Sequence, residues 1–394
     1  MDYDVIVIGG GAAGLAAAQA AVRARARVLL VTDGEIGGDC TFTGCVPSKT
    51  LIDAAAQGAS FAEAMARVRA TVARIAATED ETVLRQQGVD VLRGRARFTG
   101  RDTIEVDGRR LRGTRIVIAT GASPLLPPIE GLADLAVLTT ESVFDLTETP
   151  ESLAILGGGA VGCELAQWFA RLGVRVTVVE TADRLLPHVE PEASELLAEV
   201  FAAEGIAVHT AAEVTAAADG NSRVVLHVRG DADISAQRLL AAVGRKADTA
   251  DLGLDVAGIR TDEHGFVVVD QHMATTADGV YAAGDVTGLF PHTHAAYTMG
   301  RVAVGAALHR SRRPSFDSTA VPRVVFTDPE IATVGAVEHD LTDRRARVAY
   351  LPMSEVDRAI TADRTTGFVK LLAGPRPLLG NLGGGRVLGA TIMC

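Results

Sequence analysis

Short apolar runs rich in β-branched residues alternate along the chain with glycine turns and alanine-rich segments. Residues 5–8 form such a run, and a glycine turn, an alanine-rich segment and a second apolar run at 28–31 follow it. This order predicts a strand, a turn, a helix and a parallel strand, which together make one βαβ unit. The same order returns downstream, with predicted strands at 153–156 and 174–179 and a predicted helix at 163–172. This internal repeat is far too long for a solenoid period, so it indicates a duplicated βαβ unit.

The segments around the two units complete the predicted architecture. Between the units we expect a helix at 62–77, a β-rich meander at 89–111 and a strand–turn that ends at Thr120 and Gly121. A further strand–turn ends at Asp285, and alternating strands begin at residue 321. We predict an α/β protein whose first domain is interrupted by the second, with an α+β domain at the C-terminal end. The predicted ranges are 1–148 and 271–315 for the first domain, 149–270 for the second and 316–394 for the third.

Each predicted βαβ unit has three regularly spaced glycines in its first turn. In a dinucleotide-binding turn the first glycine permits a tight bend, the second admits the pyrophosphate, and the third lets helix and strand pack closely. One such pattern is weak alone, because glycines also serve ordinary turns, but both copies here lie between a predicted strand and a predicted helix. The two predicted dinucleotide-binding turns contain Gly9, Gly11 and Gly14 in the first unit and Gly157, Gly159 and Gly162 in the second.

The residue at the end of the second strand differs between the two units. In the second unit this residue is Glu180, whose carboxylate would accept from ribose hydroxyls and repel a 2′-phosphate, which favours NAD over NADP. A solvated glutamate at a strand end is the alternative interpretation, and the nearby Arg184 is the residue that could hold a 2′-phosphate. In the first unit Thr32 ends the strand and Asp33 follows it, so Asp33 is the candidate ribose ligand.

Cys40 and Cys45 come directly after the first unit, with four residues between them. They can meet in a loop or at a helix start, because a disulfide needs Cα atoms within about 7 Å. Pro47 indicates a helix that begins near Cys45, whose dipole would stabilise a thiolate, and Lys49 adds a positive charge. Two buried cysteines and half of a zinc site are the alternatives, but the sequence has no second Cys/His cluster at zinc spacing, so we predict no metal. A redox-active disulfide is the favoured interpretation.

The composition of the chain argues against several classes of binding partner and location. Acidic residues outnumber basic ones by 49 to 38, so a nucleic acid would be repelled on average. No basic leader precedes the first strand, and no apolar run approaches the ~20 residues that span a bilayer. Four cysteines are too few for a disulfide-stapled secreted scaffold. We expect a cytoplasmic protein that binds neither nucleic acid nor membrane.

These motifs, in this order and over the whole chain, resemble the class I pyridine nucleotide–disulfide oxidoreductases. Dihydrolipoamide dehydrogenase, glutathione reductase and mercuric reductase belong to this family. The resemblance implies two Rossmann-like domains, one for FAD and one for NAD, and a C-terminal interface domain. It implies that Cys45 is the thiol next to the flavin and Cys40 the thiol that exchanges with the substrate. Lys49 would lie beside the flavin and pair with Glu164 from the helix of the second unit.

The resemblance also implies ligands for both cofactors. Asp285 would bind the central part of FAD, and a helix beginning near Pro291 would direct its amides at the flavin ring. The further residues implied on the FAD side are His292, Thr293, His294, Thr120, Gly121 and the backbone of Ala96, beside Asp33 and the first glycine turn. The residues implied on the nicotinamide side are the second glycine turn, Glu180, Val214 and Gly244.

The C-terminal region departs from the family pattern. The family's interface domain contains a histidine that acts as acid–base catalyst in the partner subunit's site. Here His339 is the only histidine after residue 310, and the segment around it does not match the family's motif. We expect a C-terminally truncated, incomplete interface domain, a homodimer in the full-length form and feeble lipoamide turnover by the 394-residue chain.

Three hypotheses for function follow. The leading one is an FAD-dependent oxidoreductase like dihydrolipoamide dehydrogenase, which passes electrons between NAD(H) and a small disulfide or dithiol through Cys40 and Cys45. The second is an NADH-dependent diaphorase, quinone reductase or transhydrogenase, in which electrons leave from the flavin itself, with a mercuric reductase-like enzyme as a further alternative. The third is a non-catalytic flavoprotein.

Overall fold

The computed structural model describes residues 2–309, 313–341, 345–376 and 385–394. The strands are β1 (Tyr3–Ile8), β2 (Val28–Thr32), β3 (Val89–Arg93), β4 (Ala96–Phe98), β5 (Thr103–Val106), β6 (Arg109–Ile118), β7 (Ala122–Pro124), β8 (Ser152–Leu156), β9 (Arg175–Val179), β10 (Ala207–His209), β11 (Val214–Asp219), β12 (Val224–Val228), β13 (Ile234–Ala236), β14 (Arg238–Ala241), β15 (Arg245–Ala247), β16 (Val280–Ala282), β17 (Arg323–Val325), β18 (Ile331–Gly335), β19 (Arg347–Pro352), β20 (Phe368–Gly374) and β21 (Arg386–Met393). The α-helices are α1 (Ala12–Arg23), α2 (Gly38–Phe42), α3 (Cys45–Ala56), α4 (Phe61–Ala76), α5 (Glu81–Gln86), α6 (Ala160–Arg171), α7 (Pro191–Ala203), α8 (Leu254–Ala257), α9 (Thr293–Leu308) and α10 (Asp357–Thr361). Short 3₁₀ turns lie at Leu132–Asp134, Val143–Asp145, Asp285–Thr287, Ser318–Ala320, Glu338–Asp340 and Met353–Glu355.

The first predicted βαβ unit is β1, α1 and β2, and it lies within a seven-stranded sheet. The strand order is β3-β2-β1-β6-β5-β4, and β16 also pairs with β6. The strands β3, β2, β1, β6 and β16 run parallel, whereas β4 and β5 form an antiparallel meander with β6. All of β2 and the last four residues of β1 are buried, because parallel strands are covered on both faces and need continuous apolar runs.

The second predicted unit is β8, α6 and β9, in a parallel sheet ordered β10-β9-β8-β14. Its helix begins at Ala160 and not at the predicted Cys163, because Gly159 in extended backbone is already the N-cap. The antiparallel sheet β11-β12-β13 shares a hydrophobic core with this unit, to which Leu156 and Leu226 contribute.

The strands predicted after residue 321 form a five-stranded antiparallel sheet ordered β17-β18-β21-β20-β19. Alternation along β20 buries Phe368, Lys370 and Leu372 on one face and leaves Leu371 43% exposed on the other. With its two βαβ units and this C-terminal sheet, the chain has the predicted α/β class, which is confirmed.

By its internal contacts the chain divides into two compact units. The first consists of Met1–Ser48, Val68–Pro124 and Gly244–Ser318, and the second consists of Lys49–Arg67, Leu125–Val243 and Thr319–Cys394. The residue ranges predicted for three domains stay a prediction, as does the cytoplasmic location. Within the described ranges no helix combines the length and the apolar character that a membrane span requires.

Candidate active site

Cys40 and Cys45 lie on either side of a tight turn between two helices. Cys40 is half-buried in α2, and Cys45 is the exposed first residue of α3. The turn requires Gly44, because a Cβ atom there would lie 2.8 Å from the carbonyl oxygen of Asp39. A hydrogen bond joins the two side chains, which corresponds to the reduced form of the pair.

The two thiols have different neighbours. The hydroxyl of Thr293 lies 3.1 Å from the sulfur of Cys45. The hydrogen bond with Cys45 raises the pKa of Cys40, burial raises it further, and the Thr293 hydroxyl offsets only part of this increase. Repulsion from Glu79 adds to the increase in the pKa of Cys40. At neutral pH Cys40 is therefore a protonated thiol.

The helix predicted to begin near Pro291 is α9, and its first residue is Thr293. His292 is the N-cap, with extended backbone, and its ring stacks on that of His294 with the centroids 5.6 Å apart. Because α9 has 16 residues, its N-terminus carries the positive end of a full helix dipole. This end of α9 lies beside the sulfur of Cys45 and favours a negative charge there.

Lys49 and Glu164 form an ion pair, with Nζ 2.8 Å from Oε2. Glu164 lies on α6, and its side chain is only 9% exposed. The other carboxylate oxygen accepts a hydrogen bond of 3.0 Å from the backbone amide of Phe326, whose ring centroid lies 4.2 Å from Lys49 Nζ. The ammonium group is thus held between a carboxylate and an aromatic face, so its position is fixed.

The three glycines of the first turn meet different surroundings. A Cβ atom on Gly9, whose φ is +111°, would lie 2.1 Å from the carbonyl oxygen of Ala119. A Cβ atom on Gly14 would lie 1.9 Å from the carbonyl oxygen of Gly9, so a side chain is excluded at both positions. Gly11 is open, since a Cβ atom there would approach only the Cα of Gly38, at 4.0 Å. The open middle position is the one that a dinucleotide turn presents to a pyrophosphate.

The second turn repeats this arrangement. Gly157 has a φ of +101°, and a Cβ atom on Gly162 would lie 1.9 Å from its carbonyl oxygen. Gly159 has open space, with no atom within 4 Å of its Cβ position. Glu180 follows β9 and lies against this turn, with Oε2 accepting a hydrogen bond of 2.6 Å from the amide of Gly158. The carboxylate therefore lies beside the open position of the turn.

Arg184 is turned toward backbone carbonyl groups. Its guanidinium donates to the carbonyl oxygen of Pro187 at 2.8 Å and more weakly to that of Val189 at 3.4 Å. Glu180 receives its second hydrogen bond from the amide of Ala182, at 2.7 Å. The charge beside the second glycine turn is therefore that of a carboxylate held by backbone amides.

Buried polar groups of the first compact unit fit FAD. Oγ1 of Thr120 and Nε of Arg245 are buried and have no hydrogen-bond partner among the described residues. Nη2 of the same guanidinium contacts Asp39 and the carbonyl oxygen of Ala122, and Nε lies 3.6 Å from the carboxylate of Asp285. Burial raises the pKa of Asp285, and the charge of Arg245 offsets part of this increase. Phosphate and ribityl oxygens of FAD would supply the acceptors that these donors lack, and the open second glycine of the first turn would leave room for a pyrophosphate.

Of the five remaining residues predicted to bind a cofactor, three have open space around them and two lie in hydrophobic cores. Asp33 is exposed after the end of β2, and Gly121 and Gly244 have positive φ and open space at their Cβ positions. The side chains of Ala96 and Val214 fill hydrophobic cores, so only their backbone atoms could contact a nucleotide. In the described part of the chain, no three His, Cys, Asp or Glu side chains come together as a metal site would require.

Two residues that contact the site were not predicted. Arg245 directly follows the predicted Gly244, but only the pairing of β15 with β7 brings it to Asp285. Glu79 lies in the loop between α4 and α5, and its hydrogen bond to Thr41 crosses 38 positions of sequence. The sequence signal for Arg245 was its position directly after Gly244, whereas no sequence signal marked Glu79.

Comparison with known proteins gives consistent matches. The family model described as pyridine nucleotide-disulphide oxidoreductase matches residues 3–300, and the model of that family's dimerisation domain matches residues 321–394. The chain is 36% identical over 421 residues to a mercuric reductase of Streptomyces lividans, covering 99% of this chain and 86% of that protein. It is 34% identical over 399 residues to a dihydrolipoyl dehydrogenase of Thermus scotoductus, covering 94% and 84%. The structure of the HOCl-induced flavoprotein disulfide reductase RclA from Escherichia coli matches with a TM-score of 0.89 and 31% identity, covering 100% of this chain and 90% of that one.

The dimerisation-domain match covers the region that the sequence predicted to be incomplete, so the comparison gives no support for a truncation. The family binds FAD and a pyridine nucleotide, which agrees with the duplicated glycine turns and the dithiol at Cys40 and Cys45. The resemblance derived from these motifs is confirmed. The chain belongs to the pyridine nucleotide-disulphide oxidoreductase family and is an FAD-dependent oxidoreductase.

Proposed function

We propose that this enzyme takes electrons from NADH and delivers them to a disulfide substrate through Cys40 and Cys45. Cys40 is the thiol that exchanges with the substrate, and Cys45 is the thiol next to the flavin. The observation that carries this assignment is the contact of Cys45 with Thr293 at the N-terminus of α9, where a thiolate is stabilised. When bound, FAD would accept a hydride from the nicotinamide and pass the electron pair to the Cys40–Cys45 disulfide.

The dithiol can then reduce the substrate by two exchange steps. The sulfur of Cys40 loses its proton and attacks one sulfur of the substrate disulfide, which forms a mixed disulfide and releases the first substrate thiol. The thiolate of Cys45 next attacks the sulfur of Cys40, which restores the Cys40–Cys45 disulfide and releases the second thiol. Two electrons pass from the pair to the substrate, together with the proton released by Cys40 and a second proton taken from solvent.

We assign the polar groups of the two units to the two cofactors. The first glycine turn, Thr120, Arg245 and Asp285 would hold FAD, because this set combines an open turn with buried donors that need acceptors. The second glycine turn and Glu180 would hold the nicotinamide dinucleotide. We further propose that the pair of Lys49 and Glu164 keeps a positive charge fixed beside the flavin.

NADH is the proposed donor because of the charge beside the second turn. Glu180 accepts from the amide of Gly158, so a 2′-phosphate on the adenosine ribose would meet a fixed carboxylate. Nη2 of Arg184 donates to the carbonyl groups of Pro187 and Val189, which holds this part of the guanidinium within its own loop.

Replacing each cysteine by serine tests the thiol assignment. The Cys40→Ser protein loaded with oxidised FAD should show the long-wavelength absorbance of a thiolate beside the flavin, because Cys45 and Thr293 remain in place. The Cys45→Ser protein should lack this absorbance, and both variants should lose lipoamide reduction while NADH still reduces the flavin. Cys394→Ser, which changes an exposed cysteine, is the matched control. The roles of the two thiols would be exchanged if only the Cys45→Ser protein showed the band.

Reduction of a soft metal ion is a second candidate function. The chain is 36% identical to a mercuric reductase over 99% of its length, and two adjacent thiols are the ligands that soft ions prefer. Two electrons from NADH would convert Hg(II) to Hg(0), with NAD⁺ and a proton as the other products. Comparing NADH consumption with Hg(II), with lipoamide and with glutathione disulfide would identify the substrate class.

We also propose a homodimer formed through the outer face of the five-stranded sheet. Leu351 of β19 and Ile392 of β21 both pair with Val369 of β20. Leu371, which pairs with Ala390, lies two residues from Val369 on the same strand, so Leu351, Leu371 and Ile392 share one face of the sheet. They are between 38% and 43% exposed, which is unusual for neighbouring large apolar side chains on one sheet face. A second copy of the chain would bury them, in agreement with the dimerisation-domain match.

A further inference from the structure

A carboxylate outside the predicted site contacts the turn that contains Cys40. Glu79 lies in the loop between α4 and α5, and its Oε1 accepts a hydrogen bond of 2.5 Å from the hydroxyl of Thr41. Thr41 is the residue after Cys40 and is only 3% exposed. This hydrogen bond therefore places the charge of Glu79 beside the residue that follows Cys40, close enough to raise the pKa of that thiol.

The turn is shaped to admit this carboxylate. Gly37 has a φ of +113°, and a Cβ atom there would lie 2.6 Å from Oε1 of Glu79 and 2.8 Å from Oγ1 of Thr41. Any side chain at Gly37 would displace the carboxylate, in addition to the strain of its backbone conformation. The amide of Gly37 donates to the carbonyl oxygen of Gly10, which ties this turn to the first glycine turn. The hydrogen bond from Thr41 therefore holds Glu79 against a turn that has room for its carboxylate only because residue 37 is glycine.

The charges around the two sulfurs are distributed unevenly. Cys40 faces Cys45, the Thr293 hydroxyl and Glu79, while the carboxylate of the adjoining Asp39 is paired with Arg245. The sulfur of Cys45 lies 3.1 Å from the same Thr293 hydroxyl, at the positive end of α9. A fixed negative charge disfavours a second one beside it, whereas the helix end favours one. Because Thr293 contacts both sulfurs, the charge of Glu79 is what directs the single negative charge of the reduced pair away from Cys40.

We propose that Glu79 is a positioning residue for the redox turn, which holds Thr41 against Gly37 and keeps the negative charge of the reduced pair on Cys45. This inference rests on the proposed function, in which Cys40 is the exchanging thiol. Cys40 then stays protonated until a disulfide substrate arrives, and the thiolate remains on the sulfur that restores the disulfide in the second exchange step. The upward contribution of Glu79 to the pKa of Cys40 agrees with this arrangement.

Alkylation of the FAD-loaded enzyme tests the proposal without relying on turnover. The pair is reduced with a phosphine, exposed briefly to iodoacetamide at a series of pH values, and each cysteine is quantified by peptide mass spectrometry. Glu79→Gln keeps an acceptor for Thr41 and removes the charge, so the midpoint pH for alkylation of Cys40 should fall by roughly one unit. Glu79→Asp keeps the charge and should restore most of the difference. Glu35→Gln neutralises an exposed carboxylate and should not move the midpoint.

A second variant covers the case in which Glu79→Gln does not fold. Thr41→Val removes the donor that holds the carboxylate and should also lower the midpoint for Cys40, because Glu79 is then free to move toward solvent. An unchanged midpoint in the Gln variant, or equal shifts in the Gln and Asp variants, would overturn the proposal. Failure of NADH to reduce the wild-type pair would instead contradict the proposed function, and the phosphine-reduced midpoints would still decide the role of Glu79.

Discussion

Glu180 determines the charge that a nicotinamide dinucleotide meets in the second unit. Its two carboxylate oxygens accept from the amides of Gly158 and Ala182, so the group is fixed without a neighbouring guanidinium. In the first unit the equivalent strand end is Thr32, whose side chain lies 3.2 Å from the Cβ position of Gly10. The strand end beside the second glycine turn thus carries a carboxylate, whereas the strand end beside the first glycine turn carries a hydroxyl.

Removing the carboxylate should change the preference between the two donors. Glu180→Ala should lower the ratio of kcat/KM for NADH over NADPH by at least about tenfold, because a like charge is removed from a partly desolvated site. Rapid-mixing measurement of flavin reduction by each donor gives this ratio. Glu195→Gln, on the exposed face of α7, should leave the ratio unchanged. Equal use of both donors by the wild-type enzyme would show that Glu180 does not govern selection.

At the scale of elements, one face of α6 holds the segment that precedes β18. Glu164, Gln167, Trp168 and Arg171 lie at helical spacing, so they form a single stripe. Gln167 accepts from the amide of Asp328 at 2.7 Å and donates to its carbonyl oxygen at 2.8 Å. Trp168 donates to the carbonyl oxygen of Phe326 at 2.9 Å. The stripe therefore supplies hydrogen-bond partners for the backbone groups of this segment. The Phe326 ring of the same segment lies over Lys49.

Gln167→Leu should destabilise the protein measurably. The buried side chain is nearly isosteric, but the amide and carbonyl groups of Asp328 would lose their partners, at a cost of about 1–3 kcal/mol for each unsatisfied group. Denaturant unfolding of the FAD-loaded protein measures the change. Gln87→Leu, at an exposed position after α5, should stay within about 0.5 kcal/mol of wild type. Equal stabilities of the two variants would contradict this role of α6.

The buried face of β20 contains an ionic cluster, all of whose members belong to the second compact unit. Nζ of Lys370, which is 2% exposed, lies 3.0 Å from Glu190, 2.7 Å from Glu192 and 2.6 Å from Glu338. Burial raises the pKa of Glu192, but the hydrogen bond from Lys370 outweighs it and the pKa is lowered. Burial lowers the pKa of Lys370, but its three carboxylate partners outweigh it and the pKa is raised.

These shifts define the pH range over which the cluster stabilises the fold. The contribution of Glu192 is complete above its ordinary pKa of 4.5 and is lost as pH falls through its lowered folded value. The contribution of Lys370 is complete below its ordinary pKa of 10.5 and is lost only as pH rises through its raised folded value. The cluster should therefore stabilise the protein fully between these two ordinary values.

Lys370→Met should cost about 3–5 kcal/mol near neutral pH, because Glu190 is 1% exposed and would keep an unpaired charge. The loss should shrink at acid pH, where the carboxylates become protonated. Unfolding measured from pH 3 to pH 8 would show this convergence. Lys246→Met, at an exposed position of β15, should parallel wild type throughout. A loss that is independent of pH would indicate packing and not charge.

At the scale of the whole molecule, association should depend on the outer face of the five-stranded sheet. Leu371→Asp should convert a dimer to a monomer, because a carboxylate would be buried without a partner between two copies. Sedimentation velocity measures the change directly. Val256→Asp alters an apolar residue on α8 that is also exposed and should leave the dimer intact. A monomeric wild-type protein at micromolar concentration would contradict the proposed interface.

The local pattern of the sequence determined the two βαβ units, their glycine turns and the helix start beside Cys45. Each of these features depends on residues that are close in sequence, through strand periodicity, turn geometry and helix capping. The boundary of α6 was misplaced, because a glycine turn and the first helical turn look alike in sequence. The fold class and the family could therefore be predicted, together with the Cys40 and Cys45 pair.

Only the tertiary structure decided which distant side chains meet. Thr293 lies 248 positions from Cys45, and the contact depends on the placement of α9. Arg245 reaches Asp285 through the pairing of β15 with β7, and Glu79 reaches Thr41 through a loop with no distinguishing motif. Lys370 alternates with apolar residues and is buried only because three carboxylates from other segments surround it. Sequence spacing carries no information on such contacts, since they form when separate elements pack.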